Sequence, residues 1–149
     1  MTLLDHEIHI AAKPEKVWDV LTDLEAVQHY NPGVKQARYN TELRAGVGAG
    51  RQCDLVPKGW VKERVTAWEP QKSFTMELYE SQWPLVFMRW RTAITAYGKG
   101  TRISQKMEYQ VKFGLLGRLL DQLVMRKKLD KTLSEVFTSL KHYIEKGGC

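Results

Sequence analysis

The sequence predicts an α+β fold. A curved antiparallel sheet of six to seven strands wraps on a long C-terminal helix, with two short helices after the first strand. Three observations predict it. From about 33 to 112, apolar residues recur with period two between closely spaced turn signals. From Gly114 to about Lys146 the period becomes helical. Between the first alternating segment and the rest stands a short, proline-led helical pattern.

The first strand covers 3–10, where Leu4, His6, Ile8 and Ile10 alternate with Asp5, Glu7 and His9. Pro14 then suits the first turn of a helix, because its missing N–H would have no partner there. Val17, Trp18, Leu21 and Leu24 recur at helical spacing, giving a short helix over about 14–22. A second helical piece, about 24–30, stops before Pro32, since the residue before proline avoids the α region.

Turns are signalled by Gly46, Gly48 and Gly50, by Pro57 to Gly59, near Pro70 and Pro84, and by Gly98 to Gly100. Strand alternation between them predicts facing. Val61, Glu63, Val65 and Ala67 form one row, with Lys62, Arg64, Thr66 and Trp68 opposite. Phe74, Met76 and Leu78 form the next row, followed by Val86, Met88, Trp90, Thr92, Ile94 and Ala96. The last row holds Ile103, Gln105, Met107, Tyr109 and Val111. Short turns between consecutive strands make an antiparallel meander covered on one side.

The C-terminal segment predicts mainly one helix over 114–146, long enough to cross the sheet. Leu115, Leu119, Leu129, Leu133, Val136, Phe137, Leu140 and Ile144 are assigned to one stripe. Leu116, Leu120, Leu123 and Val124 lie about a quarter turn away, at roughly 100° per residue. The helix therefore bends near Arg126, or its first half meets something besides the sheet. The second reading places Leu116, Leu120 and Leu123 at a pocket that is closed by the 24–32 region and the last two strands. Leu133 and Leu140 then read as plain core.

At 149 residues the chain fits one domain, 1–149, with no repeat or linker and enough length for a real core. A 43% hydrophobic, 27% charged composition excludes disorder. Cys53 and Cys149 form neither a disulfide framework nor a paired-cysteine metal site, and the N-terminus lacks a signal-peptide core. A reducing, cytoplasmic location is the simpler expectation. No run is long enough for a membrane-spanning helix.

These pieces, in this order, resemble the START/Bet v 1-like superfamily (SRPBCC). Within it they resemble the bacterial polyketide cyclase/dehydrase and lipid transport group. The matching residues are Ala12 to Asp23, His29-Tyr30-Asn31-Pro32, Gly46 to Gly50, Glu63-Arg64-Val65, Gly100-Thr101-Arg102 and Gly114 to Asp121. The resemblance implies a helix-grip fold with a cavity between sheet and long helix. The superfamily includes lipid carriers, ligand binders and some cyclases, so fold membership does not settle chemistry.

Glu63 and Gln105 stand in apolar rows, where a buried carboxylate costs on the order of several kcal/mol unless paired. Each is either satisfied by a neighbouring strand, Glu63 by an arginine, or presents a polar group to a cavity. Met76, Met88, Trp90, Met107 and Tyr109 pack a core or line a deformable pocket. His29 and Tyr30 stand at the expected mouth, though a surface side chain is the commoner reading of His29. His6 and His9 fall on opposite faces and cannot share a metal. The glycines at 46, 48 and 50 do not match a dinucleotide loop, because a strand follows them where a helix would be needed.

Candidate ligand-binding residues are therefore Glu63, Met76, Met88, Trp90, Gln105, Met107, Tyr109, Leu116, Leu120, Leu123, His29 and Tyr30. No cofactor or metal is expected. The expected partner is a small hydrophobic molecule such as a lipid, a quinone or a polyketide-like aromatic. A cyclase or dehydratase acting in the same cavity is the alternative, and a protein-interaction module comes third. The net charge of +6 and the cluster Arg126, Lys127, Lys128 read as a solvated face or as contact with anionic lipid. No signature of nucleic-acid binding accompanies the charge.

Overall fold

The computed structural model describes residues 2–146, without the side chains of Gln122 and Leu123. Strand β1 (Thr2–Ile10) leads to helices α1 (Pro14–Thr22) and α2 (Val27–Tyr30). Six strands follow: β2 (Val34–Tyr39), β3 (Gly50–Leu55), β4 (Trp60–Glu69), β5 (Ser73–Ser81), β6 (Leu85–Tyr97) and β7 (Gly100–Val111). The C-terminal segment is α3 (Gly114–Leu120), a π turn (Asp121–Met125) and α4 (Arg126–Glu145).

The seven strands form one antiparallel sheet in the order β1-β7-β6-β5-β4-β3-β2. The strands β1 and β2 are neighbours in sequence yet occupy opposite edges. The α1–α2 segment spans between them, and the curved sheet closes round α4 as a helix-grip fold. Pro14 opens α1, whose Val17, Trp18, Val20 and Leu21 are buried. On the outer face, cross-strand charges pair: Lys62 with Glu80 (3.1 Å), Arg64 with Glu77 (3.6 Å), and Arg89 with Glu108. Such exposed pairs contribute little each, but they keep the wet face wet.

Alternation fails where the ladder slips. Strict parity along β4 puts Trp68 outside and Ala67 inside. A register shift between Val65 and Ala67 reverses them. Ala67 is exposed, and the Trp68 ring packs edge-on to Trp18 at 5.2 Å. The same happens at the start of β6, where a shift between Leu85 and Phe87 buries Leu85 and leaves Val86 exposed. The glycine loop is a turn before β3, as expected. Gly46 and Gly48 take φ of 84° and 99°, values open to few other residues.

The C-terminal helix changes phase just before Arg126, next to the position where the sequence offered a bend as one of two readings. In the π turn, the Arg126 N–H donates to the carbonyl of Asp121, five residues back. Each residue of this wider turn advances less than in an α-helix, so α3 and α4 present different faces inward. The inward residues of α4 include Phe137, Leu140 and Ile144. Among the described side chains of α3 and the π turn, Gly117 and Asp121 are buried and Met125 packs partly against the core. Leu115 and Leu119, assigned to the common stripe, are instead 83% and 53% exposed.

Gly117 is where α3 touches the sheet. A Cβ there would collide with the Lys112 carbonyl oxygen. Gly117→Ala should lower the unfolding free energy by about 1–3 kcal/mol, the range for overpacking. Leu115→Ala should stay within about 0.5 kcal/mol, as for a surface substitution. Urea unfolding of both variants checks this, and equal losses would contradict the assigned phase of α3.

Candidate functional site

Between the sheet and α4 lies a cavity of about 190 Å³. Its apolar wall is built from the inward rows of the strands, with Val61, Phe74, Met76, Met88, Trp90 and Met107. The lid is α4, through Leu129, Leu133, Val136, Phe137 and Leu140, and Leu21 and Val27 close one end. Trp83, 39% exposed, stands at the edge and joins the cavity to the surface.

One wall is polar. Arg51 on β3 and Glu63 on β4 face each other directly in the strand register. Arg51 Nε donates to Glu63 Oε1 at 2.7 Å, and Nη1 donates to the Leu24 carbonyl at 3.1 Å. Both residues are buried, at 7% and 8% exposure. Burial lowers the affinity of Arg51 for its proton, but the Glu63 charge more than offsets this and holds the guanidinium firmly protonated.

Tyr30 and Cys53 complete this wall. Burial pushes the Tyr30 phenol up to about 12, against the opposing pull of Arg51. Burial likewise pushes the Cys53 thiol up to about 12, and its Sγ lies 3.8 Å from Glu63 Oε1. Both groups are therefore neutral at physiological pH. A second polar spot is the cross-strand pair Thr92 and Gln105, both of which line the cavity.

Of the twelve residues marked from the sequence, Tyr30, Glu63, Met76, Met88, Trp90, Gln105 and Met107 line this cavity. The others do not gather here. His29 is exposed and stacks on Tyr143, with ring centroids 5.8 Å apart. Leu116 and Leu120 are 65% and 55% exposed, because Gly117 and Asp121 take the inward positions of their helix turn. The side chain of Leu123 lies outside the described residues. Tyr109 is fully buried but serves as an anchor. Its hydroxyl donates to the Asp121 carboxylate, as does that of Thr2. Burial first, and then this carboxylate, raise the Tyr109 phenol well above its ordinary range.

Leu133 and Leu140, read as plain core, line the cavity instead. Arg51 was missed as the partner of Glu63. Its signal was available, since a carboxylate in an apolar row requires a nearby cation. A second depression, of about 310 Å³, lies beside Asp121, lined by Thr2, Gln110 and Arg118 among others. It is a largely polar surface cleft, so the interior cavity is the better candidate for an apolar ligand. Among the described residues, no group of three or more His, Cys, Asp or Glu is placed to hold a metal. No described helix is long and apolar enough to cross a membrane.

Interior cavity, sheet and gripping helix define a START/Bet v 1-like fold. The family model "Polyketide cyclase / dehydrase and lipid transport" matches residues 1–145, and the chain belongs to that family. No curated protein matches it. Solved structures share the fold. The protein TTHA0849 from Thermus thermophilus is 19% identical with a TM-score of 0.82, over 99% of this chain and 100% of that one. A START superfamily protein from Mycobacterium smegmatis is 17% identical with a TM-score of 0.80, over 97% of each chain. Norcoclaurine synthase from Thalictrum flavum, in complex with dopamine and hydroxybenzaldehyde, is 16% identical with a TM-score of 0.72. That match spans 98% of this chain and 87% of that one.

The polar wall makes two predictions. Arg51→Met leaves Glu63 buried without its cation and should cost about 3–5 kcal/mol, whereas Arg51→Met/Glu63→Leu should recover most of that loss. A double variant no more stable than the single one in urea unfolding would contradict a paired, desolvated site. In Cys149→Ser protein at pH 8, Cys53 should react with iodoacetamide about a thousandfold more slowly than an ordinary thiol, given its scarcer thiolate. Alkylation at the ordinary rate would place Cys53 in contact with water.

Proposed function

We propose that this protein binds a compact apolar molecule, a ring or short chain carrying one polar group, in the cavity between the sheet and α4. The observation that carries this reading is the buried Arg51–Glu63 pair in the wall of an otherwise apolar cavity. Pockets of this kind use apolar surface for affinity and a few placed polar groups for orientation. Three methionines on the wall suit a ligand whose outline varies.

Volume narrows the class. At about 190 Å³ the cavity is smaller than the pockets of drug-sized ligands, roughly 300–1,000 Å³. It accommodates one or two rings, in the manner of an aromatic or a quinone head group, but falls far short of a two-chain lipid. A longer ligand would extend past Trp83 toward the surface. The complex of norcoclaurine synthase with dopamine and hydroxybenzaldehyde is consistent with small aromatics as ligands on this fold.

The polar groups favour binding over cyclase or dehydratase turnover. An efficient general acid or base titrates near the working pH. Tyr30 and Cys53 are held far above it, and the Glu63 carboxylate is bonded to a guanidinium. Together they form a fixed dipolar contact for a ligand hydroxyl or carbonyl.

The test compares naphthalene with 1-naphthol, which differ by one hydroxyl, by isothermal titration. Wild-type protein should bind 1-naphthol about fivefold more tightly, the worth of one net hydrogen bond. Arg51→Met/Glu63→Leu should abolish that preference while still binding naphthalene. Val136→Phe, which fills the cavity from α4, should weaken both. Failure of the wild type to bind either probe would refute the proposal.

A further inference from the structure

The apolar residues turned away from the core by the π turn form a surface of their own. Phe113, Leu115, Leu116, Leu119, Leu120 and Val124 are between 53% and 83% exposed and follow one another along a single stretch of helix. With Gly117 and Asp121 facing inward, Leu115 and Leu119 point nearly opposite, at about 100° per residue. A folded protein rarely leaves so much contiguous apolar surface without a partner. Phe113 adds to the case. It holds a left-handed backbone with φ of 76°, costly for a bulky residue, and its exposed ring gains no core packing in return.

Charge identifies what covers this face. From 112 to 131 the chain carries six basic residues, Lys112, Arg118, Arg126, Lys127, Lys128 and Lys131, all exposed. It carries two acidic ones, and Asp121 is buried beneath Tyr109 and Thr2. A second copy of the chain would set like charge against like charge across the face. An anionic bilayer complements both features, taking leucines into its headgroup region and basic side chains against its phosphates.

Position supports the same partner. The Lys112 N–H donates to the Pro84 carbonyl at 2.9 Å, next to Trp83 at the edge of the cavity. The leucine face and the cavity opening thus share one end of the molecule. We propose that the Phe113–Val124 face is a docking surface for anionic phospholipid bilayers, seating the protein with its cavity opening toward the lipid.

Vesicle flotation tests this with full-length protein. Wild-type protein should float with phosphatidylcholine–phosphatidylserine vesicles, and not with phosphatidylcholine alone. Leu115→Asp/Leu119→Asp and Lys127→Glu/Lys128→Glu should each weaken that binding by about tenfold or more. Both sites are exposed, so melting temperatures and 1-naphthol binding in vesicle-free solution should match the wild type. That last measurement separates this proposal from the cavity reading, which stands or falls without vesicles. Absence of wild-type binding to anionic vesicles would overturn it, as would undiminished binding by Leu115→Asp/Leu119→Asp. A wild-type dimer in analytical ultracentrifugation, dissolved by the same substitutions, would overturn it in favour of a second copy.

Discussion

The structure depends on a change of phase in its C-terminal helix. Gly117 brings α3 against the Lys112 carbonyl, and Asp121 is held by the hydroxyls of Tyr109 and Thr2. These contacts fix a small, polar inward face on α3. The π turn then releases α4 to present Leu129, Leu133, Val136, Phe137 and Leu140 to the sheet. One straight helix would have put leucines inward along its whole length. Because it is not straight, a cavity lies beneath α4 and an apolar face lies outside α3. Single wide turns of this kind recur at functional sites.

The second determinant is the buried Arg51–Glu63 pair. Such pairs add little net stability, because desolvating two charges consumes most of their attraction. The unbroken β3–β4 register sets Glu63 opposite Arg51, and Leu24 and Cys53 supply further bonds. A stability role alone would be met as well by two packed hydrophobic residues. Its place in the wall of a small apolar cavity gives it a better reason, since it fixes a strong dipole where a ligand must meet it.

What could be read from the sequence follows from the range of the forces involved. The strands β5 and β7 were legible because side-chain parity is a local property, and it placed Met76, Gln105 and Met107 correctly inward. The far end of β4 was not, because nothing near Val65 in the sequence announces a bulge, and one extra residue turns Trp68 into the core. The irregularity of the leucines at 115–124 was visible as a pattern. Its resolution was not, since the choice between lining a cavity and facing solvent rests on Asp121 meeting Tyr109 and Thr2 across the fold. The facing of Arg51 was legible, since Cys53 and Leu55 alternate with Gln52 and Asp54, but its meeting with Glu63 was not, because that rests on the strand register.

If the interior cavity, and not the outer face of α3, takes up the small apolar molecule, methyl-labelled methionines report it directly. Met76, Met88 and Met107 line the cavity, and Met125 lies in the π turn outside it. In a 1H–13C NMR titration with 1-naphthol, the methyl signals of Met76, Met88 and Met107 should shift saturably and together, with Met125 unmoved. Signals that stay in place at all three, or that shift only at Met125, would contradict the account.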